Sequence, residues 1–181
     1  MRLRRVVSRV NLQSNDFELF GLTQQFAQDR AELDARWKQL QREAHPDKFA
    51  AQGDAAQRVA MQWSVRINEA YQRLRDPLKR AAYLCELAGS PVNAHSNTAM
   101  PASFLMQQMQ WREDLDEACG DEALGTLRDN VDSAQRTLLQ ECATRIDELR
   151  DFPAAVQSVR ALMFIEKFGH DLDLAFDKLE T

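Results

Sequence analysis

Apolar residues recur along most of this chain at intervals of three and four, the period of helices with one buried face. Between Asn15 and Leu22, Phe17, Leu19, Phe20 and Leu22 form a short apolar turn that Gly21 can end. A second helix is expected from Asp29, which stands at capping-box spacing from Glu32. Its stripe is Leu33, Trp37, Leu40 and Ala44. Pro46 stops it, because proline disfavours helical geometry in the residue before it and cannot donate to the ladder. A longer helix over 54–75 carries Ala60, Ser64, Ile67, Tyr71 and Leu74 on its inner face. Asp76 and Pro77 restart the chain as N-cap and first helical residue, and Gly89 can cap the helix that runs to about Ala88.

The stretch from Gly89 to Pro101 has no helical period and reads as a linker. Its single histidine, His95, is taken as solvated. Beyond it Phe104, Trp111, Leu115 and Ala118 make one core stripe. From Asp121, the stripe Leu124, Leu127, Val131, Ala134, Leu138, Cys142, Ile146 and Leu149 predicts one helix of about seven turns. Phe152-Pro153 begins the last helix, with Val156, Val159, Leu162, Met163, Phe164, Ile165, Phe168, Leu172, Phe176 and Leu179. Its middle is apolar on most sides, so more than two neighbours should cover it. Short connections between three helices imply a small antiparallel bundle. The fold expected is all-α: a helical hairpin module over 15–89, a linker over 90–100 and a three-helix bundle over 101–181.

Composition supports that picture. The 181 residues are 44% hydrophobic, with six glycines and five prolines. No apolar run reaches the ~20 residues of a membrane span, and a net charge of −5 argues against nucleic acid as partner. Cys85, Cys119 and Cys142 are odd in number and lack CxxC spacing, which fits a reducing compartment and neither a disulfide frame nor a zinc site. Cys142 lies on a core stripe and is expected to be a buried, inert thiol. Residues 1–14 are basic and partly apolar, too short in apolar run for a signal-peptide core. They read as a tail or as an extended start, with an Arg-rich transit peptide as the other reading. A monomer is the default.

His45-Pro46-Asp47 falls where the hairpin turns. By composition such a tripeptide arises in roughly one chain of this length in a hundred, so alone it could be an ordinary interhelical turn. Its surroundings raise the functional reading. A rigid turn here presents two polar side chains, and nothing nearby encloses a substrate. Lys38 and Arg42 share one side of the preceding helix, and Lys48 follows the turn. A basic stripe and an apolar stripe thus run toward the same tip, although a run of charges is usually just a solvated face.

The helix after the linker has a second face that core packing explains poorly. Met106, Met109, Gln110, Glu113 and Glu117 share it, with Leu105 at its edge. Thioethers running directly into carboxylates suit an adaptable partner surface. The alternative is that Leu105, Met106 and Met109 are further core, since small bundles bury wide stripes. Periodicity does not separate the two.

These segments together resemble the HscB-type branch of the J-domain co-chaperones. The resemblance rests on the short Phe/Leu turn, the basic helix, His-Pro-Asp-Lys-Phe at 45–49, Ile-Asn-Glu-Ala-Tyr at 67–71, Leu-Arg-Asp-Pro-Leu at 74–78 and Arg-Ala-Ala-Tyr-Leu at 80–84. It continues through 104–117 and 159–164, and extends from Asp16 to Leu179. It implies that His45, Pro46 and Asp47, with Lys38, Arg42 and Lys48, engage an HscA- or DnaK-type ATPase chaperone. It also implies that Leu105, Met106, Met109, Gln110, Glu113, Glu117 and Phe164 bind an IscU-type iron–sulfur scaffold. Two departures stand out: Ala44 where the family usually carries Tyr, and Gln110 where an acid is common. With no cysteine before Cys85, the chain is similar to the bacterial, cytoplasmic form. The resemblance implies no cofactor and no catalysis by the chain itself. Two alternatives remain: a J-domain protein whose bundle holds a different client, and a metal enzyme using His45 and Asp47. For the second, the sequence offers no ligand constellation such as HExxH.

Overall fold

The computed structural model describes residues 11–93 and 100–179. The basic leader over 1–10 and most of the expected linker, 94–99, lie outside them. Seven α-helices are described: α1 Asp16–Phe20, α2 Arg30–Ala44, α3 Asp54–Arg75, α4 Pro77–Leu87, α5 Ala102–Glu117, α6 Asp121–Ala143 and α7 Phe152–Leu179. A 3₁₀ segment, Pro46–Gln52, joins α2 to α3, and a π turn, Thr144–Glu148, extends α6.

The helix ends follow the chain's own chemistry. Asn15 and Glu18 cap α1 reciprocally, each side chain accepting from the other's backbone N–H. Gly21 closes it in left-handed geometry at φ +63°, where a side chain would be strained. At Asp29 the capping box is one-sided: its carboxylate accepts from the N–H groups of Ala31 and Glu32. Asp76 caps α4 as expected, accepting from Leu78 and Lys79.

The chain divides into two compact units, one ending at Arg80 and one starting at Ala81. In the first, Phe17, Leu19, Phe20, Leu33, Leu40, Ala44, Ala60, Trp63, Ile67, Ala70, Tyr71 and Leu74 are buried. Two charged residues, Asp16 and Arg80, are buried in the same unit. Asp16 is 0% exposed and accepts from Arg66 Nη2 at 2.6 Å and Arg73 Nη1 at 2.9 Å, tying α1 to α3. A buried carboxylate is tolerable only with such partners.

The division falls nine residues before Gly89, inside α4. Ala81, Leu84 and Cys85 are buried, and the Cys85 thiol lies 4.0 Å from the carbonyl of Phe152, at the start of α7. Val92 is held too: its carbonyl accepts both Nε and Nη2 of the buried Arg160. Cys85 and Val92 thus each meet α7, at Phe152 and at Arg160.

The core of the second unit is Phe104, Trp111, Leu124, Leu127, Val131, Ala161, Ile165, Phe168 and Leu172. Trp111 stacks on Phe168 with centroids 5.8 Å apart. Burying each such ring contributes on the order of 2–3 kcal/mol. Leu149 departs from its expected stripe and is 65% exposed. The cause is the π turn: a wider turn shifts the register after Ile146, so the next apolar residue rotates outward. Leu179, at the end of α7, is exposed as well.

Candidate functional site

Two groups of residues singled out above each occupy one unit. In the first, α2 runs straight into the turn. His45 leaves helical geometry at φ −61°, ψ 125° and caps the 3₁₀ segment, its Nδ1 accepting the N–H of Asp47 at 3.3 Å. With Nδ1 accepting, a neutral ring carries its proton on Nε2 and has that N–H as its donor. Pro46 sits at the first position of the segment, where its missing N–H costs nothing. The N–H of Lys48 closes on the carbonyl of His45 at 3.1 Å. The turn is therefore defined by its own backbone.

Asp47 has its side chain 86% exposed. Its carboxylate is 3.5 Å from His45 Nδ1, an ion pair only when the ring is protonated. Lys38, Arg42 and Lys48 are exposed, and Arg42 Nε donates back to the carbonyl of Lys38 at 3.2 Å, laying the guanidinium along the helix. The arrangement is an exposed carboxylate and imidazole on a rigid turn, beside three cations.

Behind the tip, α2 and α3 are joined by polar bonds that the apolar pattern did not reveal. Trp37 Nε1 donates to Asn68 Oδ1 at 3.0 Å. Gln41 Nε2 donates to the same oxygen at 2.6 Å and to the carbonyl of Ser64 at 3.2 Å. Ser64 Oγ donates to Gln41 Oε1 at 2.9 Å. One turn earlier, the Tyr71 hydroxyl donates to Asp34 at 2.8 Å while Arg30 pairs with the same carboxylate. The Tyr71 bond, aided by Arg30, holds Asp34 below the usual carboxylate range. Trp37 and Tyr71 stack at 4.7 Å.

In the second unit, α5 buries Phe104 and Trp111 and turns Leu105, Met106 and Met109 outward, at 45%, 71% and 63% exposure. Gln110, Glu113 and Glu117 are exposed beside them. Gln110 donates to Asp114 at 2.9 Å, a contact along the helix and not across it. Met106 and Gln110 also line a cleft of about 900 Å³ among α5, α6, the π turn and the first half of α7. Phe164 differs from the rest. It is half-buried, edge-on to Phe104 at 5.9 Å and stacked on Phe168 at 5.9 Å, with Arg112 over its ring at 5.6 Å. Much of that ring already belongs to the core.

Sequence reasoning passed over Asp16, the Gln41–Asn68 network and Arg160. Asp16 carried a signal, since Arg66 and Arg73 are seven apart and so share a helical face. The network carried none that periodicity could detect. Among the described residues no three His, Cys, Asp or Glu side chains are grouped to hold a metal. No described helix is long and apolar enough to cross a membrane.

A helical hairpin tipped by His-Pro-Asp, followed by a helical bundle with exposed apolar residues on α5, is the arrangement expected of a J-domain co-chaperone. Residues 100–173 match the family model described as the HSCB C-terminal oligomerisation domain. A "Co-chaperone protein HscB homolog" from Burkholderia multivorans is 46% identical over 175 residues, covering 95% of this chain and 99% of that protein. Among solved structures, "Chaperone HscB from Vibrio cholerae" matches with a TM-score of 0.84 and 38% identity, covering 91% of this chain and 99% of that one. The human co-chaperone HscB matches with a TM-score of 0.85 and 26% identity over 91% of this chain and 83% of that one. The chain belongs to the HscB family of co-chaperones.

Proposed function

We propose that this chain stimulates ATP hydrolysis by an HscA-type chaperone through its His-Pro-Asp tip and delivers an IscU-type scaffold to it for iron–sulfur cluster assembly, in the bacterial cytoplasm. The observation that carries the reading is one chain holding both an exposed tip on a backbone-defined turn and an exposed methionine patch bordered by acids. Asp47 accepts a charge-assisted hydrogen bond from a cationic residue of the chaperone. His45 Nε2–H supplies a second polar contact, and Lys38, Arg42 and Lys48 add steering charge. Hydrolysis accelerates because the tip binds the chaperone's active conformation preferentially, with no chemistry on this chain.

Leu105, Met106 and Met109 supply an adaptable apolar contact for the scaffold. Glu113 and Glu117 border it, and Gln110 replaces one charge with a neutral amide. Phe164 contributes through its exposed part and by backing Phe104.

The test is steady-state ATP hydrolysis by an HscA-type chaperone with this protein and an IscU-type scaffold, added separately and together. The reading predicts more-than-additive stimulation. Stimulation by this protein with no further effect of the scaffold would leave the tip's role and give the bundle a different client. No stimulation by this protein would reduce the tripeptide to an interhelical turn.

A further inference from the structure

We infer that Asn68 and Gln41 are positioning residues that set the rotation of α2 and so the placement of the tip. The inference rests on the co-chaperone reading above for its effect on the chaperone, but not for its structural claim. Gln41 lies one turn before His45, between Lys38 and Arg42. Its amide makes three bonds: Nε2 donates to Asn68 Oδ1 at 2.6 Å and to the carbonyl of Ser64 at 3.2 Å, while Oε1 accepts from Ser64 Oγ at 2.9 Å. Asn68 Oδ1 is the shared acceptor, taking Trp37 Nε1 at 3.0 Å as well. Two donors four residues apart on α2 thus converge on one oxygen of α3.

Such a fork has a consequence that apolar contact lacks. Packing between leucines is non-directional and tolerates small rotations. Hydrogen bonds weaken steeply as donor and acceptor lose alignment. Rotating α2 about its axis breaks both bonds to Asn68 together. The residue facing inward nearest the tip is Ala44, buried but small, so the last turn of α2 has little side-chain bulk of its own to fix its angle. The polar fork supplies that constraint one turn back. Lys38 and Arg42, the cations beside the tip, flank Gln41 on the same helix, so the rotation that the fork fixes is the one that aims them.

The fork is separable from stability. Asn68 is exposed, so Asn68→Leu trades two bonds for apolar area and leaves the half-buried Gln41 amide and Trp37 indole N–H to bond to water instead. Asn68→Asp keeps the acceptor oxygen and both donors. The experiment compares the full-length wild type, Asn68→Leu, Asn68→Asp and Gln41→Leu. It reads the concentration giving half-maximal stimulation of an HscA-type chaperone, the melting temperature, and the backbone amide NMR signals of His45, Asp47 and Lys48.

Asn68→Leu and Gln41→Leu should raise the half-maximal concentration by roughly five- to tenfold. The maximal rate and helical content should hold, and the tip amides should shift or broaden. Asn68→Asp should behave as wild type in every readout. Asn68→Leu with wild-type half-maximal concentration and tip signals would overturn the inference. So would an Asn68→Asp chain as impaired as Asn68→Leu, because the acceptor oxygen would then be irrelevant. If Asn68→Leu melts lower, Gln41→Leu decides on the same criteria, and unchanged tip signals there overturn the inference. A wild type that fails to stimulate overturns the co-chaperone reading instead, and the NMR comparison still decides the positioning claim.

Discussion

The tip of the hairpin and the outer face of α5 are both exposed, and on the proposed reading they make contact by opposite means. The tip is polar, small and fixed by its own backbone: Pro46 starts a 3₁₀ segment, His45 caps it, and Lys48 closes on His45. A few charge-assisted bonds from such a point give direction and discrimination. The α5 face is apolar, broad and soft, made of two methionines and a leucine on an uninterrupted helix. It suits a partner whose shape must be followed more than read. On the proposed reading, a rigid polar point and a compliant apolar patch on one chain let one partner be triggered while another is held.

The largest expected effect breaks the polar side alone. Asp47→Asn keeps size and removes charge, and should abolish stimulation of the chaperone while circular dichroism and melting temperature hold, because the Asp47 carboxylate is solvated and the side chain it neighbours, His45, is exposed too. A collapsed helical signal or unchanged stimulation would defeat this. Next is the apolar side. The Leu105→Ala, Met106→Ala double variant should weaken scaffold binding, measured by titration calorimetry, by about ten- to a hundredfold. Its stimulation of the chaperone in the absence of scaffold should be unchanged.

A third variant tests whether the units can be damaged apart. Asp16→Ala leaves Arg66 and Arg73 without their shared carboxylate, and should cost the first unit about 2–4 kcal/mol in chemical denaturation. Scaffold binding by the second unit should survive at denaturant concentrations that abolish stimulation. Smaller still is the effect of Asp34. Its folded pKa is depressed, chiefly by the Tyr71 hydroxyl. Its contribution is therefore complete above the ordinary aspartate value of about 3.9 and is lost as pH falls through the lower folded value. The melting temperatures of wild type and Asp34→Asn should differ at pH 5 and converge toward pH 2. The smallest perturbation concerns the thiols. Burial pushes Cys85 up to about 11 and Cys142 up to about 12, while Cys119 is exposed. One thiol per native chain should react with a thiol reagent at pH 8, and three after denaturation.

The two surfaces were unequally legible in the sequence. The tip is a local object: a helix stop and two polar residues, written in consecutive letters. The α5 face is a tertiary one. Periodicity grouped Met106 and Met109 with the acids but could not say whether another helix covers them, and only the packing of Phe104 and Trp111 inward leaves them out. Core stripes were legible for the same local reason, in α6 up to Ile146 and in α7 from Val156 to Leu172. Leu149 failed because a π turn adds a residue that no hydrophobic pattern announces. The Gln41–Asn68 fork was hidden because amides carry no period, and Phe164, named by resemblance as a contact residue, turned out to be half core because the Phe104–Phe168 cluster closes around it. The boundary within α4 was hidden by helix continuity: a helix gives no composition break where its burial changes partner.

The most direct test of the account is whether tip and patch must share a chain. ATP hydrolysis by an HscA-type chaperone would be measured at scaffold concentrations below saturation, with wild type and with an equal mixture of Asp47→Asn and Leu105→Ala, Met106→Ala chains. The mixture holds one intact tip and one intact patch on separate molecules. The account predicts more-than-additive stimulation for wild type and only additive rates for the mixture. Full synergy from the mixture would contradict it, because the scaffold would then need no delivery by the chain that triggers hydrolysis.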